Sequence, residues 1–181
     1  MGQGYKPIIL ASQKHAGKEL IRTWLNSHEY GNGYKLTEHS YIGNDFVEAV
    51  EYLMSPLGMF YKSRLVWSGD YADNEEGLNE NLYMMTENDT NKYKMSCPHR
   101  VNMSSYRYVI NHTQKQYVDK NNKTNSSIHP LPLLTADGNG RGGGDYRGKN
   151  LHLVGTWARN TISVEKEIPN GYEELVCEFT D

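Results

Sequence analysis

Hydrophobic and polar positions follow a clear period in only a few parts of this chain. The cleanest runs through Phe46, Val47, Val50, Leu53 and Met54, which share one face at helical spacing. Asn44 stands where a side chain can accept the first free amides, and Ser55-Pro56 closes the segment because the residue before proline avoids helical backbone. A second helix is expected over Lys14 to Asn26, capped by Ser12, with Leu20, Ile21, Trp24 and Leu25 on one face and Tyr30 to Gly33 as its end. Gly17 weakens its first turn. The rest reads as strands: Lys6 to Ala11, Arg64 to Ser68, Asn81 to Thr86 and Leu131 to Ala136. Tyr106 to Asn111 and Lys115 to Asp119 flank His112-Thr113-Gln114 as a hairpin, with Tyr106, Tyr108 and Ile110 on one face. Leu151 to Trp157 and Thr161 to Glu165 form a second hairpin around Ala158-Arg159-Asn160, and Tyr172 to Phe179 is a closing strand. This order predicts an α+β fold, two helices packed on a largely antiparallel sheet of six to seven strands. A single domain spans 1–181, with a polar loop near 120–127 and a glycine-rich loop at 138–148.

Composition qualifies that picture without changing it. Ile, Leu, Val and Phe number only 35 of 181 residues, but 14 Tyr and 3 Trp supply the missing apolar volume, and a net charge of −3 is too small for a disordered chain. No apolar run approaches the ~20 residues of a membrane span, and the N-terminus carries no secretory core. A soluble, cytoplasmic protein without a membrane partner is expected. Its two cysteines argue against a disulfide scaffold. The glycosylation triplets at Asn88, Asn102, Asn111, Asn122 and Asn125 are then chance products of an asparagine-rich chain. Charge comes in blocks: −7 from Asp70 to Asp89, +6 from Lys92 to Lys123 and −5 from Glu165 onward. Such blocks pair with each other inside one fold, and the net negative charge argues against generic nucleic-acid binding.

The strongest local motif is GNGRGGGDYRG, Gly138 to Gly148. Gly138, Gly140 and Gly143 match a dinucleotide fingerprint, and Gly143 to Lys149 matches a phosphate loop save that Asn150 replaces the magnesium-binding hydroxyl. Both motifs need a following helix, and the strand-like Leu151 to Trp157 offers none. What survives is an amide-rich loop bearing Arg141, Arg147 and Lys149. With Arg159 from the next turn, and Tyr146 and Trp157 for apolar contact, these residues form the expected anion-binding site. Candidates for acid–base or nucleophilic chemistry are Asp70 and Asp73 at a strand end, His39 in Glu38-His39-Ser40, and His112 in the hairpin turn. Each has a plainer reading: an Asx turn, sequence neighbours that point apart, and a turn residue. Cys97, His99, His112, His129, His152 and Cys177 lack zinc-ligand spacing, so no metal site is expected, and neither cysteine has an activating neighbour.

The stretches EHSYIGNDFVEAVEYLMSP with WSGDYAD, and GNGRGGGDYRG with VGTWARNTISVE, resemble uncharacterised small proteins encoded by bacteria and their phages. The resemblance implies a bacterial or phage-infected cytoplasm and an accessory, host-interaction or anti-defence role. The expected function is a non-catalytic binding protein that occupies a host protein or sequesters a phosphorylated small ligand, with no cofactor. The alternative is a small metal-assisted hydrolase or transferase acting on a phosphate-bearing substrate through Asp70, Asp73, His39 or His112. The unpaired edges of the tyrosine hairpin also predict a homodimer.

Overall fold

In the computed structural model, which describes residues 2–88, 101–121, 126–141 and 143–181, the strand starting the chain becomes the middle of three antiparallel strands. β1 (Tyr5–Leu10) is buried along its whole length and runs antiparallel to both β2 (Ile21–Trp24) and β3 (Ser63–Gly69). Pro7 is tolerated in so central a strand because β2 has ended beside it, and only Leu25 N–H reaches its carbonyl, at 3.2 Å. The expected helix over Lys14 to Asn26 is absent. His15 and Lys18 exchange both backbone hydrogen bonds across Ala16-Gly17, and both central residues have positive φ, 51° and 76°. That is the requirement of a type I′ hairpin turn, which matches the twist of paired strands. The apolar spacing that suggests a helix is split by the sheet: Ile21 and Trp24 are buried, while Leu20 is 51% exposed.

The helix α2 (Asp45–Met54) forms as its pattern predicts, after the one-turn α1 (Leu36–His39). Phe46 N–H donates to Asn44 Oδ1 at 2.9 Å, and Ser55 bonds back to the Tyr52 carbonyl before Pro56. Phe46, Val47, Val50, Leu53 and Met54 bury against Ile9, Leu65 and Trp67 in the larger of two apolar clusters. Fully burying each such side chain contributes roughly 1.5–3 kcal/mol. The opposite face of these three strands carries the smaller cluster, Ile8, Leu10, Ile21, Trp24 and Val66, covered by Leu82. That residue belongs to α3 (Leu82–Asn88), where a strand over Asn81 to Thr86 is expected. Asn81 decides the matter: its Oδ1 accepts Met84 N–H at 2.8 Å, a helix cap, and its Nδ2 donates to the Asp70 and Ala72 carbonyls.

β4 (Tyr108–Asn111) and β5 (Gln116–Asp119) form the expected hairpin. Leu131 to Ala136 is instead α4 (Pro130–Leu134) followed by the two-residue β6 (Ala136–Asp137), parallel to β3. Pro130 suits the first helical position, and His129 Nδ1 caps it by accepting Leu131 N–H at 3.1 Å. Leu151 to Trp157 is a run of turns rather than a strand, because Asn150 and Gly155 hold positive φ of 55° and 80°. β7 (Thr161–Glu165) therefore pairs with β4 and the start of β3. Of the closing strand only β8 (Glu173–Glu174) pairs, parallel to β5.

The result is a single compact α+β domain. Its mixed, mostly antiparallel eight-stranded sheet is ordered β2-β1-β3-β7-β4-β5-β8, with β6 beside β3. The β4 edge of the tyrosine hairpin is covered by β7, and the first half of the β5 edge by β8 at Gln116 and Tyr117. Among the described residues no helix is long and apolar enough to cross a membrane.

Candidate functional site

Chain topology separates the residues that the sequence groups together. His39 is fully buried and its two nitrogens are assigned: Nδ1 donates to the Gly33 carbonyl at 3.1 Å, and Nε2 accepts Trp67 Nε1–H at 3.0 Å. Burial pushes its pKa down to about 4, so it is neutral at pH 7. Its ring packs edge-on against Phe46. It serves as a hydrogen-bonded core residue. His112 joins a chain in which Tyr172 hydroxyl meets Nδ1 at 2.9 Å and Nε2 meets Ser163 Oγ at 2.7 Å, while Ser163 donates to Glu165 at 2.6 Å. A Ser–His contact invites a nucleophilic reading, but Ser163 is fully buried in β7 with its proton turned to Glu165. Asp70 accepts Gly4 N–H at 3.1 Å through Oδ1, and Asp73 is exposed on the turn stapled by Asn81.

The cations divide in the same way. Arg159 is saturated: its guanidinium meets Glu75 in two bonds of 2.6 and 2.7 Å, Asp137 at 3.1 Å and Glu19 at 3.3 Å. Arg64 takes Glu19 in a second two-bond pair. Burial alone would raise the Glu19 carboxyl, but Arg64 and Arg159 outweigh it and hold it below its ordinary value. Trp157 is fully buried and donates to Gln116 at 3.2 Å. Lys149 is exposed beside Glu178 at 3.4 Å, an ion pair of little energetic weight. The side chain of Arg141 lies outside the described residues, as do Cys97 and His99. Burial pushes the Cys177 thiol up to about 12, which keeps it un-ionised. Among the described residues no group of three or more His, Cys, Asp or Glu is placed to hold a metal ion.

The glycine-rich segment itself is folded down onto the sheet. A Cβ on Gly144 would meet the Tyr5 ring at 2.7 Å, and one on Gly148 would meet the Thr180 carbonyl at 2.1 Å. These glycines allow close packing, and only a three-residue 3-10 turn follows, so the two phosphate-binding motifs stay without their helix. Tyr146 is buried, its hydroxyl donating to the Lys149 carbonyl and its ring edge-on to Phe179. Asp145 turns back to α1, accepting from Thr37 N–H at 3.3 Å and from the Thr37 hydroxyl.

These contacts leave a cleft of about 310 Å³ between α1 and the loop. Leu36, Tyr41, Ile128, Leu133 and Tyr146 give it an apolar lining. Arg147 stands exposed at its rim, donating Nη1 to the Gly144 and Tyr146 carbonyls at 2.7 and 2.8 Å and pairing with no carboxylate among the described residues. Asp145 and Asp181 also line it. Ser40, almost fully buried beside the cleft, has no hydrogen-bond partner for its Oγ among the described residues.

Sequence reasoning misses a buried ionic node centred on α2. Glu51 of α2 pairs with Lys120 Nζ, which also donates to the Met103 carbonyl at 2.9 Å. His129 Nε2, the nitrogen left to carry the ring proton while Nδ1 accepts Leu131 N–H, lies 3.0 Å from the other Glu51 oxygen without the alignment of a hydrogen bond. Burial would raise the Glu51 carboxyl, but His129 and Lys120 outweigh it and hold it low. The signal for Glu51 was present: it falls on the apolar stripe of α2, beside Val47, Val50 and Met54. A lone His before a proline gives no comparable signal.

No protein-family model matches the chain, and neither a curated protein nor a solved structure does.

Proposed function

We propose that this chain is a non-catalytic binding protein that docks a protein partner at the cleft between α1 and residues 145–148, working in the cytoplasm of a bacterial or phage-infected cell as an accessory factor. One observation carries the reading: an apolar cleft the size of one large side chain, with a solvent-facing guanidinium at its rim that forms an ion pair with no carboxylate among the described residues. A bulky apolar side chain fills the cleft, and an adjacent acidic residue of the partner meets Arg147. A phosphorylated small ligand fits less well, because Asp145 and Asp181 oppose a dianion there. The hydrolase reading is weaker still, since His39 and Ser163 are each committed to internal hydrogen bonds. The test is selection of displayed peptides on the intact protein. Binders with a large apolar residue beside an acidic one are expected, losing at least about tenfold in affinity to Arg147→Ala and to Tyr41→Ala. Selected peptides indifferent to both changes would refute the cleft assignment, and competition by inorganic phosphate would favour the phosphorylated ligand instead.

A further inference from the structure

A second and larger cleft, about 580 Å³, opens on the side of α1 that carries Lys35 and Glu38. Its walls share no residue with the cleft at Arg147. Two features make it more than a surface groove. The first is a recess at Gly4. That residue is buried, and a methyl carbon placed on it would lie 3.3 Å from Tyr34 Cβ and 3.6 Å from both Asp70 Oδ2 and the Tyr83 hydroxyl. Because residue 4 is glycine, a carboxylate oxygen and a phenol oxygen converge on an atom-sized space. Asp70 is held in place by the Gly4 amide on Oδ1, and its Oδ2 has no hydrogen-bond donor among the described residues. The second feature is an aromatic wall: the exposed rings of His28 and Tyr34 lie parallel, 2° apart in plane, with centroids 5.3 Å apart.

Local charge selects the sign of the ligand. Asp70 and Glu38 both line the cleft with Lys35, and the nearby Lys6 ammonium, 4.0 Å from the centroid of the Tyr83 ring, is paired with Glu87. Tyr83 is kept un-ionised, its pKa pushed up to about 12 by burial and by nearby Glu87 and Asp70, so its oxygen remains a neutral hydrogen-bonding group. An anion would approach two carboxylates, whereas a cationic amine would find a fixed carboxylate oxygen and a π-face within one site.

We propose that this cleft binds a small organic ammonium ion with a flat apolar body, its N–H groups directed to Asp70 Oδ2 and the Tyr83 hydroxyl at the Gly4 recess and its body laid against His28 and Tyr34. The site is independent of the partner cleft, so either assignment can fail alone.

The probe is benzylammonium, titrated into the full chain by NMR or calorimetry, with benzyl alcohol as its neutral counterpart. Saturable binding of benzylammonium at or below about 10 mM is expected, at least about tenfold tighter than benzyl alcohol. Gly4→Ala is the decisive variant. The backbone there lies outside the left-handed region, and the added methyl is in ordinary contact with Asp70 and Tyr83 and tight only against Tyr34 Cβ, which must give by a few tenths of an ångström. It should therefore leave the melting temperature in place while weakening benzylammonium at least about tenfold, and Asp70→Asn should weaken it similarly by removing the charge. Equal affinity in wild type and Gly4→Ala, equal affinity for the alcohol, or no saturation by about 10 mM would each overturn the proposal.

Discussion

Arg147 and Arg159 look alike in the sequence, each a cation near small or turn-forming residues, yet the fold gives them opposite surroundings. Arg159 is enclosed by Glu75, Asp137 and Glu19, three carboxylates brought from separate parts of the chain. Arg147 meets only two backbone carbonyls of its own loop and keeps its charge toward solvent. A cation's role is therefore set by which distant elements arrive beside it. A saturated cation holds the fold together, and an unsaturated one is available to a partner. Glu51 extends the contrast to the interior, where saturation is a condition for the charge being there at all.

The largest effect is expected where saturation is complete. Glu51→Gln leaves Lys120 buried without its counter-charge and should cost about 3–5 kcal/mol, read from urea unfolding at pH 7. A cost under about 1 kcal/mol would mean that water reaches the node.

The next effect is a pH dependence. The folded His39 titrates at about 4 against an ordinary 6.5, so between those values the unfolded chain binds the proton and the folded chain does not. Stability is full above pH 6.5 and falls by about 3 kcal/mol on going down to pH 4. His112, whose pKa burial also lowers, adds to the same trend, and the depressed carboxyls of Glu51 and Glu19 release their contribution as pH falls further. Unfolding measured across this range should flatten in His39→Phe, whatever that variant's absolute stability.

Arg159→Met comes third. Its guanidinium is partly exposed, and screening limits the loss to about 1–2 kcal/mol, with a melting temperature less sensitive to salt than that of the wild type. Arg147→Ala should be the smallest, within about 0.5 kcal/mol by the same unfolding measurement, because no carboxylate depends on it. A larger loss there would remove the distinction between the two arginines.

Local chemistry accounts for what is legible in the sequence. α2 carries its cap, its apolar period and its stop within a dozen residues, and the β4–β5 hairpin is bounded by its own turn. The misread segments are those decided elsewhere. Leu20, Ile21, Trp24 and Leu25 fit a helix by spacing, and only the positive φ of Ala16 and Gly17 with the pairing to β1 makes their segment a strand. Tyr146 and Arg147 line a cleft, whereas Trp157 and Arg159 are drawn into the core and an ion network. Glu75, Glu19 and Asp137, which decide the fate of Arg159, carry no local mark of that role.

The strand order also has a consequence for how the chain is made. β1, β2 and β3 can zip up among themselves as soon as Gly69 has emerged from the ribosome, but the other edge of β3 waits for Ala136 and then Thr161. At ordinary elongation rates of about 5–20 residues per second, that edge stays bare for several seconds. Its carbonyls and amides are then open to any extended chain nearby. The newborn protein is most exposed to misassembly not at its tyrosine hairpin but at β3, the strand that later takes three neighbours, β1, β6 and β7.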